Sequence, residues 1–333
     1  MELGITSFVE LTTNLKTYEE RIHEVLKEIK HADELGLDFF GIGEHHRRDY
    51  AASSPITILA AAATITKQIK LGSAVVVLSS EDPVRLTEQY RTLNIISNNR
   101  AELMVGRGSF IESFPLFGYD LDDYNELFEE KFDLLNRLNK QDNLSWEGNF
   151  RKPLNDVTIY PKTNNPLTIS VGVGGSRGSI IRAAKYGTPL VLAIIGGNPL
   201  FFKSYVNLYK ALYIQHGHDP EKMHITANFH GFISDDPKEL EIFRDTNLEQ
   251  MNAIGKERGW KAANIDSYNQ SISKEGALIV GNSKEVAEKM NYLIKELDLD
   301  RILLQVTVGS MPIDITLKTI EKLAKEVKPL LVR

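Results

Sequence analysis

There is no cysteine among the 333 residues. That excludes disulfides, thiolate-held zinc, iron–sulfur clusters and every mechanism with a cysteine nucleophile. Long apolar runs are also missing. A membrane-crossing helix needs ~18 apolar residues or more, whereas runs such as 75–78 and 189–195 have strand length. Met1-Glu2-Leu3-Gly4 shows no basic start leading into an apolar stretch, so no secretory leader is read there. A cytoplasmic protein with no membrane partner is the expectation. Basic surplus is absent too: 39 Lys and Arg stand against 45 Asp and Glu, a net charge of -6. Nucleic acid is therefore not an expected partner, because its binders carry a basic face. The turn after the first strand, residues 7–13, has no glycine. Dinucleotide-binding open sheets place a glycine-rich turn there.

What is present is a rhythm. Short Val/Ile/Leu-rich runs alternate with amphipathic segments almost from end to end. Strands are expected at 3–6, 39–43, 71–78, 101–106, 167–171, 190–195, 225–233 and 301–306. Helices are expected at 17–35, 55–66, 83–96, 122–138, 179–186, 200–215, 284–297 and 315–327. The strands are nearly continuous apolar runs, as strands buried on both faces are. Eight strand–helix units in this length predict an α/β fold of the (β/α)8 TIM-barrel type, whose usual size is ~250 residues before insertions. A doubly wound open sheet is the alternative. Residues 140–165, after strand four, and 238–281, after strand seven, break the rhythm. Both read as insertions into a single domain spanning 1–333.

A barrel builds its active site at the C-terminal ends of its strands. Strand two ends in Gly43-Glu44-His45-His46. Imidazole beside a carboxylate there suits proton transfer near neutral pH. The same residues also suit a solvent-facing polar loop. They cannot all reach one metal centre without strain, and no further ligand triplet is evident, so no metal is expected. After strand three, Asp82-Pro83 reads as a helix start. Gly106-Arg107-Gly108-Ser109 follows strand four and suits an anion grip or a plain turn. The densest signal is Gly172-Val173-Gly174-Gly175-Ser176-Arg177-Gly178-Ser179, running into a helix. Exposed backbone N–H groups, a helix N-terminus and two hydroxyls form a phosphate cradle. Capping alone would need fewer glycines. On strand seven, Asn228 and His230 share a face. They suit either the barrel mouth or a polar core.

Taken in order, several segments resemble the luciferase-like, flavin-dependent monooxygenases over nearly the whole chain. They are Gly43-Glu44-His45-His46, residues 73–78 with Asp82-Pro83-Val84-Arg85, residues 93–100, Val105-Gly106-Arg107-Gly108, residues 172–179 and residues 276–288. Ser113-Phe114-Pro115-Leu116-Phe117-Gly118-Tyr119 marks a bacterial oxidoreductase subgroup. The resemblance implies FMN at the barrel mouth, with Arg107, Ser176 and Ser179 on its phosphate beside Gly174 and Gly175. It implies a non-proline cis peptide at Ala74-Val75, beside the flavin ring, and an active-site role for His45 flanked by Glu44 and His46. One position departs. Where luciferase α subunits carry a reactive cysteine, this chain has Gly106, which tells against light emission.

The resemblance further implies a two-component monooxygenase. A flavin reductase would supply reduced FMN, and O2 would oxygenate a small organic substrate. An F420-dependent dehydrogenase or reductase on the same scaffold is one alternative, and a non-catalytic flavin-binding protein is another. A homodimer joined near the alanine-rich helix 55–66 is also implied. The lid over the substrate is expected from 110–119 and 238–273.

Overall fold

The computed structural model describes residues 1–11, 16–108 and 110–332. Eight parallel strands close on themselves. They are β1 (Glu2–Ser7), β2 (Phe39–Ile42), β3 (Lys70–Ser73), β4 (Ala101–Gly106), β5 (Thr168–Val173), β6 (Leu190–Ala193), β7 (Ile225–Ile233) and β8 (Arg301–Gln305). Each pairs with the next, and β8 pairs with β1. No edge is left on this sheet, and the expected (β/α)8 barrel is what forms. The helices around it are α1 (Tyr18–Glu34), α2 (Pro55–Ile65), α3 (Pro83–Ile96), α4 (Tyr124–Lys140), α5 (Arg177–Tyr186), α6 (Lys203–Gln215), α7 (Ser283–Leu297) and α8 (Ile313–Lys322). Their apolar stripes pack on the outward faces of the strands, for example Val25 and Ile29 of α1 and Met290 and Leu293 of α7.

The start of α3 shows how local chemistry sets a boundary. Asp82 Oδ1 accepts from the N–H groups of Val84 at 2.9 Å and Arg85 at 3.0 Å, and Pro83 sits in the first turn, where no N–H is required. The capping read from the sequence is thus present.

One ring fills the barrel floor. Phe39 is fully buried among Met104, Val191 and Leu303. A Cβ added to Gly41 or Gly72 would lie 2.8 Å from a carbon of the Phe39 ring, so these two glycines make room for it. Below it, Arg301 grips Glu102 in a fork of 2.7 and 3.0 Å and also pairs with Glu2. This plugs the N-terminal end. The opposite end is open.

Two expectations change in detail. The single strand over 71–78 is two pieces, β3 and the short Val76–Val77, separated by a cis peptide at Ala74-Val75. The first insertion forms an antiparallel hairpin, Asn143–Trp146 with Leu154–Thr158. The second forms the helices Pro237–Arg258 and Ile265–Ile272 and a short strand, Ile279–Gly281, that extends the top of β7. Ser109 of the predicted anion turn and Thr12 and Thr13 of the first turn lie outside the described residues.

Candidate active site

A cavity of about 740 Å³ opens at the C-terminal ends of the strands. Its walls follow the two-residue period of the strands. Met104 and Gly106, Val191 and Ala193, Asn228 and His230, and Leu303 and Gln305 all face inward. Of the residues singled out from the sequence, Glu44, His45, His46, Ala74, Val75, Arg107, Gly174, Ser176, Ser179, Asn228 and His230 line it. Gly175 does not. It turns the chain at φ +116°, and its carbonyl accepts from Tyr205 Oη at 2.9 Å.

His45 sits in an aromatic box. Tyr50 stacks on it with centroids 4.3 Å apart, and Phe8 and Phe110 present their edges at 4.6 and 5.2 Å. Burial, with Arg47, His46 and Arg258 nearby, pushes its imidazole down to about 3. His45 is therefore neutral at working pH, one N–H donor and one acceptor nitrogen. From the sequence alone an imidazole at this position is expected to titrate near neutrality. The box removes that property because an apolar wall disfavours the charged ring. Burial alone lowers His230 to about 4.

Glu44 holds the backbone together. Its Oε2 accepts from Val77 N at 2.9 Å, and its Oε1 meets His46 Nε2 at 2.8 Å. It therefore ties strand two's end to the segment after Ala74-Val75.

The other end of the cavity gathers Arg107, Gly174, Ser176 and Ser179. Ser176 is the N-cap of α5, yet its hydroxyl makes no capping bond. A Cβ on Gly174 or Gly196 meets nothing within 4 Å. The guanidinium of Arg107 lies 5.1 Å over the Tyr124 ring and donates to Asn125 Oδ1 at 2.6 Å. Ser179 is engaged by Arg182 at 3.2 Å, and Arg182 is paired with Glu129.

The family model for luciferase-like monooxygenases matches residues 1–300. The chain belongs to the luciferase-like monooxygenase family. The alkanal monooxygenase alpha chain of the Kryptophanaron alfredi symbiont is 28% identical over 193 residues, which is 56% of this chain and 53% of that one. The match thus spans about half the length of that relative. Limonene 1,2-monooxygenase of Rhodococcus erythropolis is 25% identical over 283 residues, covering 82% and 72%. Among solved structures, a monooxygenase from Streptomyces bottropensis superposes with a TM-score of 0.87 at 24% identity over 99% of both chains. The oxygenating constituent of 3,6-diketocamphane monooxygenase of Pseudomonas putida, in complex with FMN, superposes at 0.79 with 19% identity over 100% and 99%.

Several wall residues of this family member carry no motif of their own in the sequence. Phe8 and Glu10 follow β1, where the barrel rule alone would have placed a candidate. Gln305 is the one polar residue ending an apolar strand. Phe110, Gln250 and Trp260 come from the two segments expected to form the lid, and Tyr50 from the loop after β2, but no local pattern shows which of their residues face the cavity. Among the described residues, the buried side-chain atoms without a partner belong to Tyr90, Glu112, Ser113, Gln250 and Gln305. All of those residues but Tyr90 line this cavity. Buried polar groups are normally paired, so these four take their partners from whatever fills the cavity, water or ligand.

Arg47 clasps the roof. It pairs with Glu112 at 2.6 Å, Glu257 at 2.8 Å and Asp49 at 3.1 Å. Phe110 lies between the guanidiniums of Arg47 and Arg258, each 4.6 Å from the ring. Both expected lid segments therefore meet over His45. Among the described residues, no helix is long and apolar enough to cross a membrane.

Proposed function

We propose that this enzyme uses reduced FMN, supplied by a separate flavin reductase, and O2 to oxygenate a small organic substrate. The observation that carries the proposal is one cavity joining an anion cradle to an apolar aromatic chamber. The cradle fits a flavin phosphate. It offers the uncommitted Ser176 hydroxyl, open space above Gly174 and the Arg107 guanidinium. The FMN-bound Pseudomonas putida structure has the same fold. FMN, when bound, supplies the electrons that activate O2.

The chain's own residues do the rest. Arg107 and Ser176 hold the phosphate, with Ser179 beside them. Ala74 and Val75 form the wall that the ring would lie against. Phe8, Tyr50 and Phe110 exclude water. His45 offers a hydrogen bond as a neutral imidazole, with Glu44 and His46 fixing the backbone beside it. We place the protein in the cytoplasm as a homodimer joined across α2 and α3, where Ile65, Ile95 and Ile96 are exposed. A monomeric mass by light scattering would remove the dimer.

An F420-dependent dehydrogenase with this fold superposes at a TM-score of 0.77 and 14% identity, so the deciding experiment is a cofactor titration. Wild type and Arg107→Ala are titrated with FMN, riboflavin and F420, followed by fluorescence. Wild type should bind FMN. Arg107→Ala should lose about 10–100-fold in FMN affinity and little for riboflavin, because a hydrogen bond to a charged group contributes ~1.5–3 kcal/mol. Tight F420 binding with no FMN response would overturn the proposal, and equal losses for both flavins would remove the phosphate role.

A further inference from the structure

Beside the His45 box, joined to it through Tyr50, lies a buried polar cluster. Glu10 is buried at 1% exposure. Gln305 Nε2 donates to its Oε1 at 2.6 Å, and Thr307 Oγ1 donates to its Oε2 at 2.8 Å. Gln305 Oε1 is left buried and unpartnered. Next to it, Gln250 Nε2 donates to Tyr50 Oη at 3.1 Å, leaving Gln250 Oε1 unpartnered. The two halves adjoin, because Glu10 and Tyr50 face each other across a backbone bridge. Gln250 and Gln305 are each 3% exposed, and both line the cavity.

The backbone takes an unfavourable shape to build this wall. Val9 has φ +56°, the left-handed region that a β-branched residue rarely adopts. Ser7 Oγ accepts its N–H at 3.1 Å. The result sends Val9 into the core while Phe8 and Glu10 both reach the cavity. Strain of this kind, of order 1–3 kcal/mol, gathers at functional sites.

We propose that Glu10, Gln305 and Gln250 form the subsite that receives the hydroxyl or neutral N–H donor of an otherwise apolar substrate. This rests on the oxygenase reading above and adds the substrate class to it. The amide oxygens accept, and the Glu10 carboxylate accepts most strongly. A carboxylate ligand would meet only repulsion from the Glu10 charge and from those oxygens. An ammonium ligand would pass Arg47 and Arg258 at the roof. The body of the ligand packs on Phe8, Tyr50 and Phe110.

Proton state adds a second signature. Burial pushes Glu10 up to about 7, partly offset by Arg21 on α1. Arg21 itself pairs with Glu28 at 2.8 Å and Glu24 at 3.7 Å, and Tyr50 faces Glu10 from the other side. Donor binding should therefore weaken as pH falls below 7.

The test uses three matched probes: 2-naphthol, 2-methoxynaphthalene and 2-naphthoate. Their binding is measured by calorimetry at pH 8 and pH 6, with the protein both FMN-loaded and FMN-free. Wild type should prefer 2-naphthol by about tenfold or more over the methyl ether, as one hydrogen bond to a charged acceptor implies. Naphthoate should bind weakest. Glu10→Gln should cut the preference to a few-fold, as a neutral acceptor replaces a charged one, and Glu10→Gln with Gln305→Leu should cut it further, while circular dichroism and the affinity for the methyl ether stay unchanged. Equal affinity for naphthol and its ether in wild type, including no binding of either, overturns the subsite. So does an undiminished preference in Glu10→Gln. Donor preference in the FMN-free protein together with failure to bind FMN would instead overturn the flavin reading and leave the subsite standing.

Discussion

Gly106 stands where the luciferase α subunits it resembles have a reactive cysteine, and the structure gives a steric reason for glycine. A Cβ there would lie 2.7 Å from Val75 Cγ2, and one on Gly172 would lie 2.8 Å from Val75 Cγ1. The Val75 side chain fills the space between two bare backbones. Gly106→Cys should therefore cost about 1–3 kcal/mol through overpacking, read as a lower urea midpoint. Gly106→Cys with Val75→Ala should recover most of that. If Gly106→Cys is as stable as wild type, Val75 is not the obstacle. His45 shows the opposite relation between sequence and chemistry. Its place at the end of β2 was legible from the barrel rule, but its proton state was not. Tyr50 and Phe110, which box it in, lie 5 and 65 residues further on in the chain, and only folding puts their rings against the imidazole.

Elements were legible where their signals are local. Helix caps such as Asp82-Pro83 and the two-residue alternation of Asn228 and His230 need only neighbours in the chain. The break between β3 and Val76–Val77 carried no compositional mark, because 71–78 reads as one apolar strand. The roof was the least legible element. Arg47 follows β2, Glu112 precedes the short helix Ser113–Phe117, and Glu257 ends the helix Pro237–Arg258, yet all three meet. Partly exposed ion pairs like these contribute ~0–1 kcal/mol each. Arg47→Ala, which removes three such pairs, should thus lower global stability by about 3 kcal/mol at most while loosening the roof. Hydrogen exchange should speed up several-fold in residues 110–117 and at the C-terminal end of the long helix, and stay unchanged in α7. A uniform increase across the barrel would show that Arg47 supports the whole fold rather than its lid.

At the scale of the molecule, the closed sheet buries titratable groups that an unfolded chain would leave in water. Glu10 rises to about 7 from an ordinary 4.5. Between those values the native state holds a proton that the unfolded chain has released. Stability from this group is therefore present at pH 4.5 and lost as pH rises through 7. His45 and His230, lowered to about 3 and 4, act in the other direction. Their unfolded forms bind protons below 6.5, so acid destabilises the fold through them. Glu10→Gln removes one side of this opposition. Urea unfolding at pH 5 and pH 8 should show the variant gaining about 2 kcal/mol relative to wild type at the higher pH. An identical difference at both pH values would mean that Glu10 is not held protonated by the fold.

The sequence by itself determined the barrel, its order of strands and helices, the glycine-rich loop before α5 and the end of the barrel where the cavity opens. These follow from periodicity, glycine spacing and strand polarity, all of which are local. Only the tertiary structure decided that His45 is neutral, that Glu10, Gln305 and Gln250 face one chamber, and that Arg47 joins the two lid segments over it. Closing the barrel brings residues from opposite ends of the chain to one mouth, and the water excluded there sets their charge.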